Sequence, residues 1–192
     1  MDFNTKCLFN SYCSKMKKTV SFELCRESPY YDFNFNKGQE PMLRKEYVNK
    51  CVEASLDIWN ECGFSEELVI LYEDIYGGGC AEEILFLEKC IKIKSYYSNS
   101  FLWEDDGEKY KARRHIWRTD SIDAEKIFKK IILSDISGGR ACFSSAVYII
   151  ESSTENVFFL YDDRGADVFS CDERYLKKLG ENLKSMVIDW QF

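Results

Sequence analysis

Histidine and proline are almost absent from this chain: its 192 residues hold one His and two Pro. A Cys-His or Ser-His nucleophile would have to use His115, which sits in the run Arg113-Arg114-His115-Ile116-Trp117-Arg118. Neighbouring guanidiniums disfavour a protonated imidazole, and no G-x-S-x-G elbow accompanies it, so triad chemistry is not expected. Nine cysteines are present but form no C-x-x-C pair, and one histidine cannot supply a Cys/His cluster. Zinc-finger spacings are thereby excluded, and the thiols are expected to be reduced and to pack as small hydrophobes. Residues 1–18 lack a continuous apolar stretch of the secretory kind, and no run is long enough to span a bilayer. A cytoplasmic protein without a membrane partner is expected. Gly77-Gly78-Gly79 lacks the G-K-[ST] or G-x-G-x-x-G pattern of a phosphate cradle and reads as a turn, and no motif implies a cofactor. Basic charge is in deficit: 26 Lys and Arg against 33 Asp and Glu give −7, which argues against nucleic acid and is compatible with a basic protein partner.

What is present is enough apolar surface for a core. At 45% hydrophobic and 16% aromatic, the chain is expected to fold as one α+β domain over residues 1–192. Residues 3–17 suit a short helix, and Thr19 to Cys25 alternates as a strand with Glu23 on the face opposite Val20, Phe22 and Leu24. Pro41 to Cys62 carries apolar residues at i, i+3, i+4 and i+7 and ends at Gly63, which specifies a helix. Glu67 to Tyr72 reads as a buried strand, Ala81 to about Lys92 as a helix, and Ser95 to Tyr110 as irregular, with Glu104-Asp105-Asp106-Gly107 turning. The basic run 111–118 is expected to pair with the acids of that turn. Ser121 to Asp135 and a segment after Ser170-Cys171-Asp172-Glu173 read as further helices. The sheet is expected to be mixed but mostly antiparallel, with a C-terminal three-stranded meander and three to five helices.

The meander occupies Ala141 to Cys171. Val157-Phe158-Phe159-Leu160-Tyr161 is too short and too apolar for anything but a strand covered on both faces. It is bounded by Ser152 to Asn156 and by Asp162-Asp163-Arg164-Gly165, both turn chemistry at hairpin spacing. In the second turn an Asp is expected to bond its own backbone, Gly165 to take a left-handed position, and Arg164 to form an ion pair with Glu23 beneath the sheet. The competing reading is a divalent-metal or acid/base site, with Asp162 and Asp163 as ligands and Arg164 orienting a phosphate or carboxylate. Asp167, two residues after Gly165, completes the charged group.

The segment Tyr161-Asp162-Asp163-Arg164-Gly165-Ala166-Asp167, with Val147-Tyr148, Phe22-Glu23-Leu24 and Trp190 in the same order, resembles a bacterial family known as domain of unknown function 3885. That resemblance implies a single bacterial cytoplasmic domain and no particular activity, cofactor or substrate. The leading expectation is a non-enzymatic binding protein, of the immunity type that neutralises a toxin or other basic protein. Its contact residues would be the aromatic and acidic groups on irregular segments: Tyr30, Tyr31, Phe33, Phe35, Tyr96, Tyr97, Trp103, Glu104, Asp105 and Asp106. The alternatives are a metal-dependent hydrolase or phosphoryl-handling enzyme at Asp162-Asp163-Arg164, and an intracellular scaffold. The oligomeric state is left open.

Overall fold

A computed structural model describes residues 1, 3–30, 43–64, 67–75, 81–136 and 143–191. Among these, eight strands form one sheet in the order β3-β4-β2-β5-β6-β7-β1-β8, antiparallel at every pairing. The strands are β1 (Lys18–Glu23), β2 (Leu68–Asp74), β3 (Ile91–Asp105), β4 (Glu108–Ile122), β5 (Val147–Glu151), β6 (Val157–Leu160), β7 (Gly165–Ser170) and β8 (Val187–Gln191). Five helices accompany them: α1 (Phe9–Met16), α2 (Lys45–Cys62), α3 (Ala81–Cys90), α4 (Ala124–Ile136) and α5 (Glu173–Asn182). The sheet is thus antiparallel rather than mixed, and the expected meander is present as β5-β6-β7 near its middle.

Alternation along the strands splits the core in two. Val20, Phe22, Ile70, Trp117, Ile149, Phe158 and Leu160 face the larger cluster, built with α2, α3, α4 and α5. Their neighbours Val69, Leu71, Ile116, Ile150, Val157 and Phe159 face a smaller cluster closed by Phe9 and Cys13 of α1. Every residue of β6 is buried, because both faces are covered. Of the thiols, Cys13, Cys51, Cys62 and Cys90 are buried, and burial pushes the first three up to about 12, which makes them poor nucleophiles.

Local chemistry sets the element ends. Gly63 takes the left-handed cap of α2 at φ 66°, as its position predicted. Asp172 caps α5 by accepting from the amides of Arg174 and Tyr175, while the Ser170 hydroxyl accepts from Asp172 N–H at 2.9 Å. The largest departure from expectation is Ser95 to Tyr110. It is not irregular: β3 and β4, fifteen residues each, form a hairpin whose tip, Asp106 (φ 50°) and Gly107 (φ 80°), has the two positive φ angles of a type I′ turn. Among the described residues no helix is long and apolar enough to cross a membrane.

Beneath the β2–β4 pair lies a buried ion pair, Glu73 with Arg114 at 2.7 Å. Arg114 also donates to the carbonyls of Phe3, Thr5 and Cys7, and Glu73 accepts from the amide of Phe9 at 3.0 Å. The pair therefore ties residues 3–9 to the sheet and sets α1 over its smaller core. The Phe101 ring covers the guanidinium at 3.7 Å.

Candidate functional site

Two places concentrate the residues singled out in the sequence: the corner between β6 and β7, and the β3–β4 hairpin. At the corner, Asp162 closes an Asx turn. Its Oδ1 accepts from the Arg164 amide at 2.7 Å, and its Oδ2 accepts from Arg164 Nε at 2.8 Å and from a second guanidinium nitrogen. The expected Glu23–Arg164 pair does not form. Once Asp162 holds the backbone of Arg164, the same carboxylate is the nearest anion to its side chain, which lies 75% exposed at the surface. Glu23 instead accepts from Arg26 Nε at 2.6 Å, three residues along the chain.

Gly165 departs from expectation as well, since it is not among the glycines with positive φ. The requirement is space. A Cβ there would lie 2.1 Å from Tyr161 Oη and 2.4 Å from the carbonyl oxygen of Phe22, the residue beside its β1 partner Glu23. Asp167 pairs with Ser21 across β7 and β1, and burial raises its carboxyl while a bond with Ser21 opposes the shift.

Asp163 is buried behind the turn and accepts the Tyr47 hydroxyl proton on Oδ2, while Oδ1 has no partner. Burial raises its carboxyl above the ordinary range. The Tyr47 hydrogen bond opposes that shift, and the charges of Asp162 and Asp135 add to it. Asp135, from the last turn of α4, brings a carboxylate oxygen so that the three acids have ligand atoms within 4.8 Å of one another. Tyr47 and Asp135 were not legible as parts of this corner, because only the packing of α2 and α4 on the sheet delivers them. A raised carboxyl adds stability below the ordinary aspartate pKa and loses it as pH rises through the folded value. Asp163→Asn is therefore expected to raise Tm at pH 7 and to lose most of that gain at pH 4, measured by thermal unfolding of both proteins across that range.

At the hairpin, Tyr96, Tyr97, Trp103 and Glu104 lie along β3, Asp105 ends it and Asp106 forms its tip. Tyr96 and Tyr97 are exposed, as are Ile93 and Leu102 on the same strand. Trp103 stacks on Tyr110 of β4 with ring centroids 4.9 Å apart. A groove of about 930 Å³ runs along this end, lined by Asn4, Lys6, Phe101, Trp103, Lys109 and Lys111 among others. Of the basic run, Arg114 and Arg118 pair with Glu73 of β2 and with Glu67 just before it, not with the hairpin acids; Lys109, two residues before the run, stands opposite Glu104. His115 is buried, with Nδ1 2.9 Å from the Tyr96 hydroxyl and its ring in a cluster with Tyr96 and Trp117, which also contact each other; burial lowers its pKa.

Tyr30 is not a free contact residue. It packs against the larger core, bridges to Leu43 and donates its hydroxyl to the Ile136 carbonyl at 2.8 Å. Tyr31, Phe33 and Phe35 lie outside the described residues.

The chain also matches a known family. Residues 7–191 align with the family described as Domain of unknown function (DUF3885). The chain belongs to this family. No curated protein and no solved structure matches it. As a DUF3885 domain the chain carries the Tyr161 to Asp167 corner within the matched region, and membership assigns neither substrate nor partner.

Proposed function

We propose that this DUF3885 chain is a non-enzymatic binding protein whose contact element is the outer edge of β3, docking an extended segment of a protein partner by strand addition. The supporting observation is the edge itself. β3 ends the sheet order, no other described strand pairs with its outer side, and fifteen residues of backbone are presented with Ile93, Tyr96, Tyr97 and Leu102 exposed along them. Edges of that length are ordinarily shortened, bulged or covered, because unpaired amides and carbonyls recruit another strand. Lys92, Lys94 and the bulges near Ile93 protect one end only. The formal charge of −7 favours a basic protein as the partner, as in neutralisation of a toxin in a bacterial cytoplasm. A scaffold role would use the same edge with a partner that is not toxic.

The test is capture of the products of neighbouring genes by the tagged full chain, beside co-expression for protection against them. Wild type is expected to retain one of them and the Leu102→Glu variant to lose it at least tenfold in affinity, since the most exposed apolar residue of the strand is replaced without touching the core. Retention of the same protein by both would remove β3 from the contact.

The second reading is a metal-dependent hydrolase or phosphoryl-handling enzyme at Asp162-Asp163-Arg164, favoured by the buried, unbonded Oδ1 of Asp163. Arg164 is committed to Asp162 and Asp163 to Tyr47, so the groups such chemistry needs are already partnered. Millimolar Mg²⁺ or Ca²⁺ is expected to leave Tm unchanged; a rise that Asp163→Asn abolishes would favour the enzyme.

A further inference from the structure

Cys171 carries the exposed thiol among the described cysteines; Cys7 and Cys25 are half-buried and the other four are buried. It sits at the bend between β7 and α5, next to the Asp172 cap. Lys17, just before β1, donates from Nζ to Cys171 Sγ at 3.5 Å and is in no salt bridge among the described residues. The Cys171 S–H in turn reaches the Met16 carbonyl at 3.9 Å, a long and weak bond. An accessible sulfur beside an ammonium is the setting in which a thiolate attacks.

Cys171 lines a groove of about 470 Å³ together with Thr154, Asn156, Ser170, Asp172 and Tyr175. That volume falls within the roughly 300–1,000 Å³ of small-ligand sites. Most polar groups along it are committed. Thr154 donates to Glu151 at 2.7 Å, Tyr175 donates its hydroxyl to the Cys62 carbonyl at 3.0 Å, and the Asp172 carboxylate accepts from the amides of α5. Asn156 is the exception. It is 5% exposed, and its backbone N–H and carbonyl are bonded to Thr154 and Glu151, yet its side-chain carboxamide has no partner among the described residues. Neither carboxamide atom is sealed from solvent, so the little surface that Asn156 keeps opens on the groove it lines. A carboxamide offers a donor and an acceptor side by side, the complement of the C=O and N–H of a peptide group.

The geometry points to Cys171 as a site of thiol–disulfide exchange with a low-molecular-weight peptide disulfide, whose amide is held by Asn156 while its sulfur meets Cys171. The Cys171 thiolate attacks one sulfur of the disulfide. A new S–S bond joins the chain to one half of the reagent, the old S–S bond breaks, and its electron pair leaves with the other half, which takes up the proton that Cys171 released. The Cys171 sulfur is oxidised and the departing thiol is the reduced product, so the disulfide is itself the oxidant. Lys17 faces the negative charge on the sulfur before attack, and Asn156 is a positioning residue. In the sheet order β7 lies five places from β3, so an adduct on Cys171 leaves the docking edge uncovered.

The test treats the reduced full chain with oxidised glutathione, a peptide disulfide, and in parallel with bis(2-hydroxyethyl) disulfide, which is neutral and lacks amides. Intact mass and peptide mapping follow each adduct with time. Cys171 is expected to take the first glutathionyl group, and Cys171→Ser to abolish that addition. At Cys171 the preference for oxidised glutathione over the amide-free reagent is expected to be about fivefold greater in the folded chain than in the chain unfolded in urea, the worth of about one hydrogen bond. Asn156→Ala is expected to remove that preference without changing the amide-free rate, and Lys17→Gln to slow both reagents. Circular dichroism confirms the fold of each variant, and the comparison of folded with unfolded wild type decides the outcome even where Asn156→Ala does not fold. First addition at another cysteine, an equal preference in the folded and unfolded chain, or a folded Asn156→Ala variant that keeps the preference would each overturn the assignment.

Discussion

Replacing Arg114 with alanine is expected to lower the unfolding free energy by about 3–5 kcal/mol, the cost of leaving a buried carboxylate without its counter-ion. The Arg114 side chain is 0% exposed and that of Glu73 2%, so no water replaces the lost guanidinium. Carbonyls of Phe3, Thr5 and Cys7 lose their donor in the same step. Residues 3–9 should then detach before the sheet does. Urea unfolding gives the energy, and trypsin cleavage after Lys6 under native conditions reports the detachment. Exchanging both partners, Glu73→Leu with Arg114→Met, removes the unpaired charge and should recover part of the loss; the N-terminal carbonyls and the Phe9 amide remain unsatisfied, so recovery is incomplete. Equal damage from the single and double variants would show that packing, not charge pairing, holds the segment.

The second large effect is expected at Gly165. A methyl group there meets Tyr161 Oη at 2.1 Å and the Phe22 carbonyl at 2.4 Å, and the latter belongs to a strand paired on both sides. Gly165→Ala must push β1 away from β7 and should cost about 3 kcal/mol, at the upper end of overpacking penalties. Adding Tyr161→Phe removes only the hydroxyl conflict and should restore less than half. Gly180 is the informative contrast. The atoms nearest its added Cβ all belong to the indole of Trp190, which is 38% exposed and at the end of a side chain that can turn aside. Gly180→Ala gains about 1 kcal/mol of helix propensity and loses the indole contact, so its net effect should be within about 1 kcal/mol of zero. Denaturant midpoints for the two variants, measured side by side, check both figures.

Elements whose signal is local were readable in the sequence. Val157 to Leu160 is a strand because β-branched and aromatic residues between two turns can be nothing longer, and α2 follows its i, i+3, i+4 stripe to Gly63. The β3–β4 hairpin was missed for a physical reason. From Lys92 to Ser98 both faces of this strand are exposed, so the polar residues Ser95, Ser98, Asn99 and Ser100 fall on both rows and erase the alternation that marks a half-buried strand. Its tip was nonetheless written in Asp106-Gly107. The corner was legible as a turn and not as a site: Asp162 and Arg164 are neighbours in sequence, but Tyr47 and Asp135 reach it through tertiary packing, and Glu73 with Arg114 announces nothing until β2 and β4 pair. Gly165 shows the same limit. A glycine before a strand suggests a left-handed turn, and only in the folded chain do a carbonyl and a phenol occupy the space its side chain would need.

Amide hydrogen exchange along residues 91–105 bears most directly on whether β3 receives another strand. In dilute protein, outward-facing amides of β3 should exchange far faster than the β4-bonded amides between them. With the captured partner bound, those fast amides should slow together. Protection appearing elsewhere, with β3 unchanged in every condition, would mean that the edge is bare architecture and that binding happens on another surface.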